Sequence, residues 1–229
     1  VKILVIDAGS RDQTRAIARG AGATVVERPW SNFVDARRFA LSEVTTPWTF
    51  MLDADERLDA ALRSALTQAQ PDAENVDGYR VRRATTFCGE VVRAFGWDDE
   101  ALVRIFRTER ASLAAHPVAG GAAPLHERWE VEGRLARLDG ILLHDSYPDR
   151  AAYRRKFERY TSLEAAGLRS RPDVFAWTVA LALPKFLWLL GPRSGFRMGW
   201  RGVYLAFWSA LYPVVAQWKA LRADRPAEG

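Results

Sequence analysis

"KILVIDAGSRDQTRAIARGAGATVVE" (2–27) reads as strand, turn, helix, turn, strand. The apolar run 2–6 predicts a strand, and residues 10–20 predict a helix. Ser10 is the expected N-cap, with Gln13 three positions on in the capping-box pattern, and Gly20 and Gly22 mark the stop. "TVVE" (24–27) is the next strand. The alternation then continues: a helix over 33–44 with Phe33, Ala36, Ala40 and Leu41 on one face, a strand over 48–52, and a helix over 58–69. Strands and helices alternating through short links predict an α/β fold with right-handed crossovers and a mostly parallel sheet. In open sheets of that kind ligands bind at the carboxyl ends of the strands. Asp7 and Asp53 both fall at such ends.

The strand at 48–52 runs into an acidic cluster, "WTFMLDADERLD" (48–59), with Asp53, Asp55, Glu56 and Asp59 close together. One reading is a solvated acidic patch that opens the next helix. The other is a cation site. Carboxylates at i and i+2 where a strand opens into a loop can turn toward one point, and Mg²⁺ or Mn²⁺ takes few protein oxygens when phosphate and water supply the rest. Asp7 stands before a Gly-Ser turn and a helix start. A carboxylate there can accept hydrogen bonds from a base or ribose, and free N–H groups at a helix start favour anions. The stretch is neither a G-x-G-x-x-G nor a P-loop, and its plain alternative is a tight turn before a helix.

From about residue 76 strand-like pieces follow one another without helices: 78–83, 102–106 and 141–144. They predict an antiparallel extension of the sheet. From about 149 the chain changes again. Tyr153, Phe157, Tyr160 and Leu163 share a helical face, with Arg154, Arg155 and Arg159 around it. Two apolar segments, 174–190 and 203–218, are joined by the basic "GPRSGFRMGWRG" (191–202), and five of the nine tryptophans lie in this part. Pro184 and Pro213 interrupt the segments, and each is shorter than the roughly 20 residues of a spanning helix. Tryptophan and arginine at their edges suit a membrane–water interface; a hairpin packed on protein is the alternative. The expected domains are therefore 1–148, an α/β domain, and 149–229, an amphipathic helical hairpin that associates with membrane.

The 229 residues, 48% hydrophobic and 27% charged, suit a globular chain with a core of its own. A net charge of +5 points to an anionic partner, either a phosphate-bearing ligand or a lipid surface. The single cysteine, Cys88, excludes an internal disulfide and a multi-cysteine metal site. Basic residues gather near the apolar tail and no aromatic–basic sheet motif is present, so nucleic acid is not an expected partner.

"VIDAGSRDQT" (5–14) followed by "FVDARRFALSEVTTPWTFMLDADE" (33–56) resembles the nucleotide-binding half of family 2 glycosyltransferases, which have the GT-A, Rossmann-like fold. "WDDEALVRIFR" (97–107), "PLHERWEVEG" (124–133) and "LLHDSY" (142–147) resemble the bacterial branch that includes lipopolysaccharide core glucosyltransferases. The resemblance implies these roles. Asp7 contacts the nucleotide base, Asp53 the ribose or metal, and Asp55 is the main ligand of Mg²⁺ or Mn²⁺ beneath the donor diphosphate. Glu127 is the general base, with His126 orienting it or the acceptor; Asp98, Asp99 and Glu100 are rival bases. Arg37 and Arg104 are candidate phosphate contacts, with surface or salt-bridge roles as the alternative, and His116 and His144 are expected to be structural. Arg38 stands where relatives commonly have Asn. Family members carry a further first strand before the position of Val1, which this sequence lacks.

The implied activity is inverting transfer of a sugar, glucose by the closest likeness, from a UDP-sugar to a lipopolysaccharide-core or other lipid-linked acceptor. The expected place is the cytoplasmic face of a bacterial inner membrane, peripheral or monotopic, against anionic lipid. A sugar transferase acting on polyprenyl phosphate and a non-catalytic, membrane-bound remnant are the alternatives.

Overall fold

The structure, a computed structural model, describes residues 1–69, 75–98, 100–115, 127–169 and 171–223, the side chains of 115 and 127 excepted. In chain order the elements are β1 (Leu4–Asp7), α1 (Thr14–Gly20), β2 (Thr24–Glu27), α2 (Phe33–Ser42), β3 (Trp48–Phe50), β4 (Glu56–Leu58), α3 (Ala60–Gln68), β5 (Gly78–Phe87), β6 (Glu90–Val91), β7 (Glu100–Arg107), β8 (Ala111–Ala115), β9 (Glu127–Val131), β10 (Leu135–Tyr147), α4 (Arg150–Gly167), α5 (Pro172–Leu190) and α6 (Trp200–Ala223). The α/β class is as expected. β1 and β2 pair in parallel, from Leu4↔Thr24 to Asp7↔Glu27. The described ladders of the larger sheet, whose order is β3-β7-β5-β10-β4 with β6 on β5, are antiparallel. Expected strands at 78–83, 102–106 and 141–144 are present and longer, while β4, β6, β8 and β9 escaped the periodicity because they are short or broken by polar residues.

The chain forms two compact units. The first comprises Val1–Leu52, Gln68–Val81 and Leu102–Leu138. Its core gathers Val34, Phe106, Leu113 and Trp129, with the Phe106 and Trp129 rings 4.9 Å apart. Burying each such side chain contributes about 2 kcal/mol. α2 starts at Asn32, whose side chain accepts the Asp35 N–H at 2.9 Å, satisfying an orphan donor of the first turn. The helix turns Val34 inward and leaves Phe33 exposed against Trp30, so its buried face lies one position on from the one expected.

The second unit comprises Asp53–Thr67, Arg82–Ala101 and Asp139–Gly229. Phe87 is its aromatic centre, stacked on Tyr204 at 5.4 Å and meeting Tyr153 edge-on at 5.8 Å. α4 starts at Asp149, which accepts the Ala152 N–H at 2.6 Å. α6 packs on both α4 and α5, and Lys219 pins it to α4 through Glu158, Thr161 and Ser162. Gly140 has φ +102°, and a Cβ there would lie 2.1 Å from the Leu62 amide nitrogen, so only glycine lets β10 approach α3 this closely.

The C-terminal part is a three-helix arrangement rather than a hairpin alone. Pro184 and Pro213 sit inside continuous helices of 19 and 24 residues, which corrects the expectation of shorter, interrupted segments. Among the described residues one helix, α5, is long and apolar enough to cross a membrane by length and composition. Trp177, Leu181, Leu183, Leu187 and Trp188 are exposed along it.

Candidate active site

Asp7 ends β1 and is buried. Its Oδ1 accepts the N–H groups of Gly9 (3.1 Å) and Ser10 (2.9 Å), and its Oδ2 accepts the Ser10 hydroxyl at 2.5 Å. Arg15 Nε stands 3.9 Å from Oδ1. These hydrogen bonds, the Ser10 hydroxyl first, hold the carboxyl below its ordinary value. The expected capping box is therefore corrected. The Ser10 side chain turns back to Asp7, and α1 begins after Gln13 without a side-chain cap. Ser10 donates both its hydroxyl and its N–H to the Asp7 carboxylate, and the helix starts at Thr14, too far along the chain for Ser10 to be its cap residue.

Asp53 and Asp55 lie in the turn that joins β3 to β4, and both belong to the second unit. That turn is built from within. The Asp53 N–H donates to Glu56 Oε2 at 3.1 Å, and the Glu56 N–H donates to the Asp53 carbonyl at 3.0 Å. Glu56 is buried, with Arg83 Nη1 3.6 Å from its Oε1. Glu56 thus shapes the turn, while the Asp55 carboxylate reaches the surface.

β4 pairs with β10 in the register His144↔Glu56, and the Asp145 N–H donates to the Asp55 carbonyl at 2.7 Å. This ladder brings His144 Nε2 to 3.1 Å from Asp55 Oδ2. Ser146 Oγ lies 2.9 Å from Nδ1 and 3.0 Å from Nε2 of the same ring. The hydrogen bond from His144, with smaller help from the charges of His144 and Lys156, holds the Asp55 carboxyl below its ordinary value despite partial burial. Asp145 alongside is paired with Arg57 and Thr86. His144, expected to be purely structural, is thereby a neighbour of the carboxylate most suited to a cation. The quoted "LLHDSY" contained the signal, and only the strand register reveals its partner.

The donor chemistry suits Mg²⁺ or Mn²⁺ as a partial shell. Two carboxylates share one turn and the Asp55 carboxylate reaches the surface, a donor set of the kind used by an ion that takes its other oxygens from a diphosphate. Among the described residues no three or more His, Cys, Asp and Glu side chains form a complete metal cage.

Of the remaining candidates, Arg37, Arg104 and Glu127 belong to the first unit, and the rival bases Asp98 and Glu100 to the second. Arg37 is half-buried on α2. Arg104 is buried in β7 at 3% exposure, and its carbonyl accepts the Met51 N–H at 2.8 Å just before the acidic turn. Neighbouring Arg38 donates to the Leu113 carbonyl at 3.4 Å. Glu127 opens β9 opposite Ala115, while His126 and His116 lie outside the described residues. Of the rival bases, Glu100 is paired with Arg83 at 2.6 Å, and Asp99 lies outside the described residues.

A family model described as "Glycosyl transferase family 2" matches residues 1–160. The chain is 29% identical over 225 residues to the lipopolysaccharide core biosynthesis glycosyltransferase LpsC of Rhizobium meliloti, covering 91% of this chain and 81% of that protein. It is 24% identical to an uncharacterized glycosyltransferase of Rickettsia typhi, over 82% of this chain and 66% of that one. A similar protein of Rickettsia prowazekii is 23% identical, over 73% of this chain and 59% of its own length. The chain thus spans somewhat less than two thirds of these two rickettsial relatives.

Proposed function

Because the chain belongs to glycosyl transferase family 2 and is a glycosyltransferase, we propose that it transfers a hexose, glucose first, from a UDP-sugar with inversion, using Mg²⁺ or Mn²⁺. The observation that carries this reading is the Asp53–Asp55 turn, with the Asp55 carboxylate at the surface beside His144. When bound, the metal ion would offset the charge of the departing diphosphate. The chain's own residues do the rest. Asp55 is the principal metal ligand, Asp53 contacts metal or ribose, and Glu56 fixes the turn that presents them. Asp7 orders its turn and offers its remaining acceptor capacity to the base. Arg37 and Arg104 contact phosphate. Glu127 takes the acceptor hydroxyl's proton, with His126 beside it in sequence.

The acceptor we propose is a lipopolysaccharide core or another lipid-linked sugar, by analogy with the name of the Rhizobium relative. The helical region 149–229 would hold the enzyme on the cytoplasmic face of the inner membrane, peripherally or monotopically. The exposed apolar side of α5 and the basic residues around it support this placement.

The test is transfer of label from UDP-[¹⁴C]glucose to lipopolysaccharide truncated in its core, with the full chain and Mn²⁺. Label in the lipid fraction supports the proposal. Label with other nucleotide-sugars only would revise the donor, and label in extracted polyprenyl phosphate would favour the alternative acceptor.

A further inference from the structure

Within the second unit, a cavity of about 300 Å³ is lined by Trp97, Tyr147, Lys156, Tyr160, Lys185 and Tyr212, among others. Its residues come from the loop after β6, from the end of β10 and from all three C-terminal helices. Apart from the effect of the Lys156 charge on Asp55, none of them has a role in the site described above. The lining combines flat aromatic faces with two ammonium groups. Trp97 lies against Tyr147 at 6.3 Å, Tyr147 against Tyr153 at 4.8 Å, and Lys156 Nζ stands 5.2 Å from the Tyr147 ring centre. Small-molecule sites have this make-up, with apolar walls and a few convergent polar groups. The volume is at the small end of ligand pockets.

We propose that this cavity binds the acceptor's sugar ring through a single anionic substituent, a carboxylate or a phosphate, held by Lys156 and Lys185. The inference rests on the transferase reading and names the acceptor class that reading leaves open. Three observations lead there. First, an anion needs cationic partners, and lysine ammoniums act as compact charges that accept either group without a fixed fork geometry. Second, the cavity adjoins the chemistry: Tyr147 lines it at the end of β10, the strand that carries His144 beside Asp55. Third, Lys185 sits on α5 between exposed Leu181 and Trp188, at positions i−4 and i+3 on the same helix. A sugar in the cavity would therefore be bound beside the helix whose outer side suits lipid, as a lipid-linked acceptor requires. Among the described residues, Glu164 is hydrogen-bonded to Tyr212 and lies within electrostatic reach of Lys185, and Asp55 lies within reach of Lys156.

The test is calorimetric titration of the full chain in detergent with glucuronate, glucose 6-phosphate, methyl glucoside and inorganic phosphate. At least one charged sugar should bind tenfold or more tightly than methyl glucoside. Lys185→Met should abolish that preference and Lys185→Arg should retain it, while UDP affinity with Mn²⁺ stays unchanged in both. The stronger of the two charged sugars identifies the anion, and binding of inorganic phosphate as tight as glucose 6-phosphate would overturn a role for the sugar ring. Equal binding of charged and neutral sugars, or a preference that survives Lys156→Met with Lys185→Met, would overturn the proposal. UDP binding without the preference sinks this cavity alone. The preference without UDP binding sinks the UDP-donor reading and leaves the cavity standing.

Discussion

His144 Nε2 lies 3.1 Å from Asp55 Oδ2, and the β4–β10 ladder sets that distance through the His144↔Glu56 pairing. The residue that lowers the Asp55 carboxyl is thus delivered by a strand 89 positions away in sequence. His144→Ala should let the Asp55 carboxyl rise toward its ordinary value. Metal-dependent nucleotide binding should weaken about three- to tenfold, as expected for about 1 kcal/mol from one hydrogen bond. Titration of UDP at several Mn²⁺ concentrations checks this; an unchanged metal dependence would show that His144 does not tune Asp55.

Glu56 is buried beneath the same turn, accepting the Asp53 N–H and facing Arg83. Glu56→Ala removes one partner of a buried pair and should destabilise the protein by about 3 kcal/mol. Glu56→Gln, which keeps the acceptor for Asp53, should cost less. Urea unfolding of the two variants against wild type distinguishes the charge from the hydrogen bond.

At Gly140 the backbone has φ +102° and faces the Leu62 backbone with no room for a methyl group. Gly140→Ala combines strained dihedrals with a backbone clash and should cost about 3 kcal/mol or more. A fall in thermal midpoint of only a degree or two would contradict this packing of α3 on β10.

The Ser10 hydroxyl lowers the Asp7 carboxyl. A depressed folded value stabilises the protein fully above the ordinary aspartate value of about 3.9, and that contribution is lost as pH falls through the folded value. Ser10→Ala should therefore weaken the dependence of stability on pH below about 4. Its deficit against wild type should be largest near neutrality and shrink in acid. Urea titrations across that range read the difference directly.

The outer side of α5 should carry membrane affinity. Leu183→Glu with Leu187→Glu places two charges among exposed apolar residues and should reduce co-flotation with liposomes containing anionic lipid at least tenfold, since about 2 kcal/mol is at stake for each side chain. Equal flotation of the variant would move the membrane contact elsewhere.

Much of this organisation was legible in the sequence. Alternation through residue 52 announced the α/β fold, and the acidic turn stood out because carboxylates crowded the end of an apolar strand. What escaped was set by tertiary partners. Ser10 bonds to Asp7 rather than capping α1, a competition that local spacing does not rank. His144 gained its neighbour from a strand register. β4 is three residues long and polar at its centre, too short for any period. Pro184 and Pro213 looked like breaks, yet packing of α6 on α4 and α5 carries the helices through them.

The central claim is a nucleotide–metal site at Asp55, and the direct measurement is calorimetric titration of UDP into the full chain, with Mn²⁺ and with EDTA, for wild type and Asp55→Ala. The account predicts binding that requires Mn²⁺ and is lost in Asp55→Ala while the variant unfolds at the wild-type temperature. UDP binding of equal strength in EDTA, or retained in a folded Asp55→Ala, would contradict it.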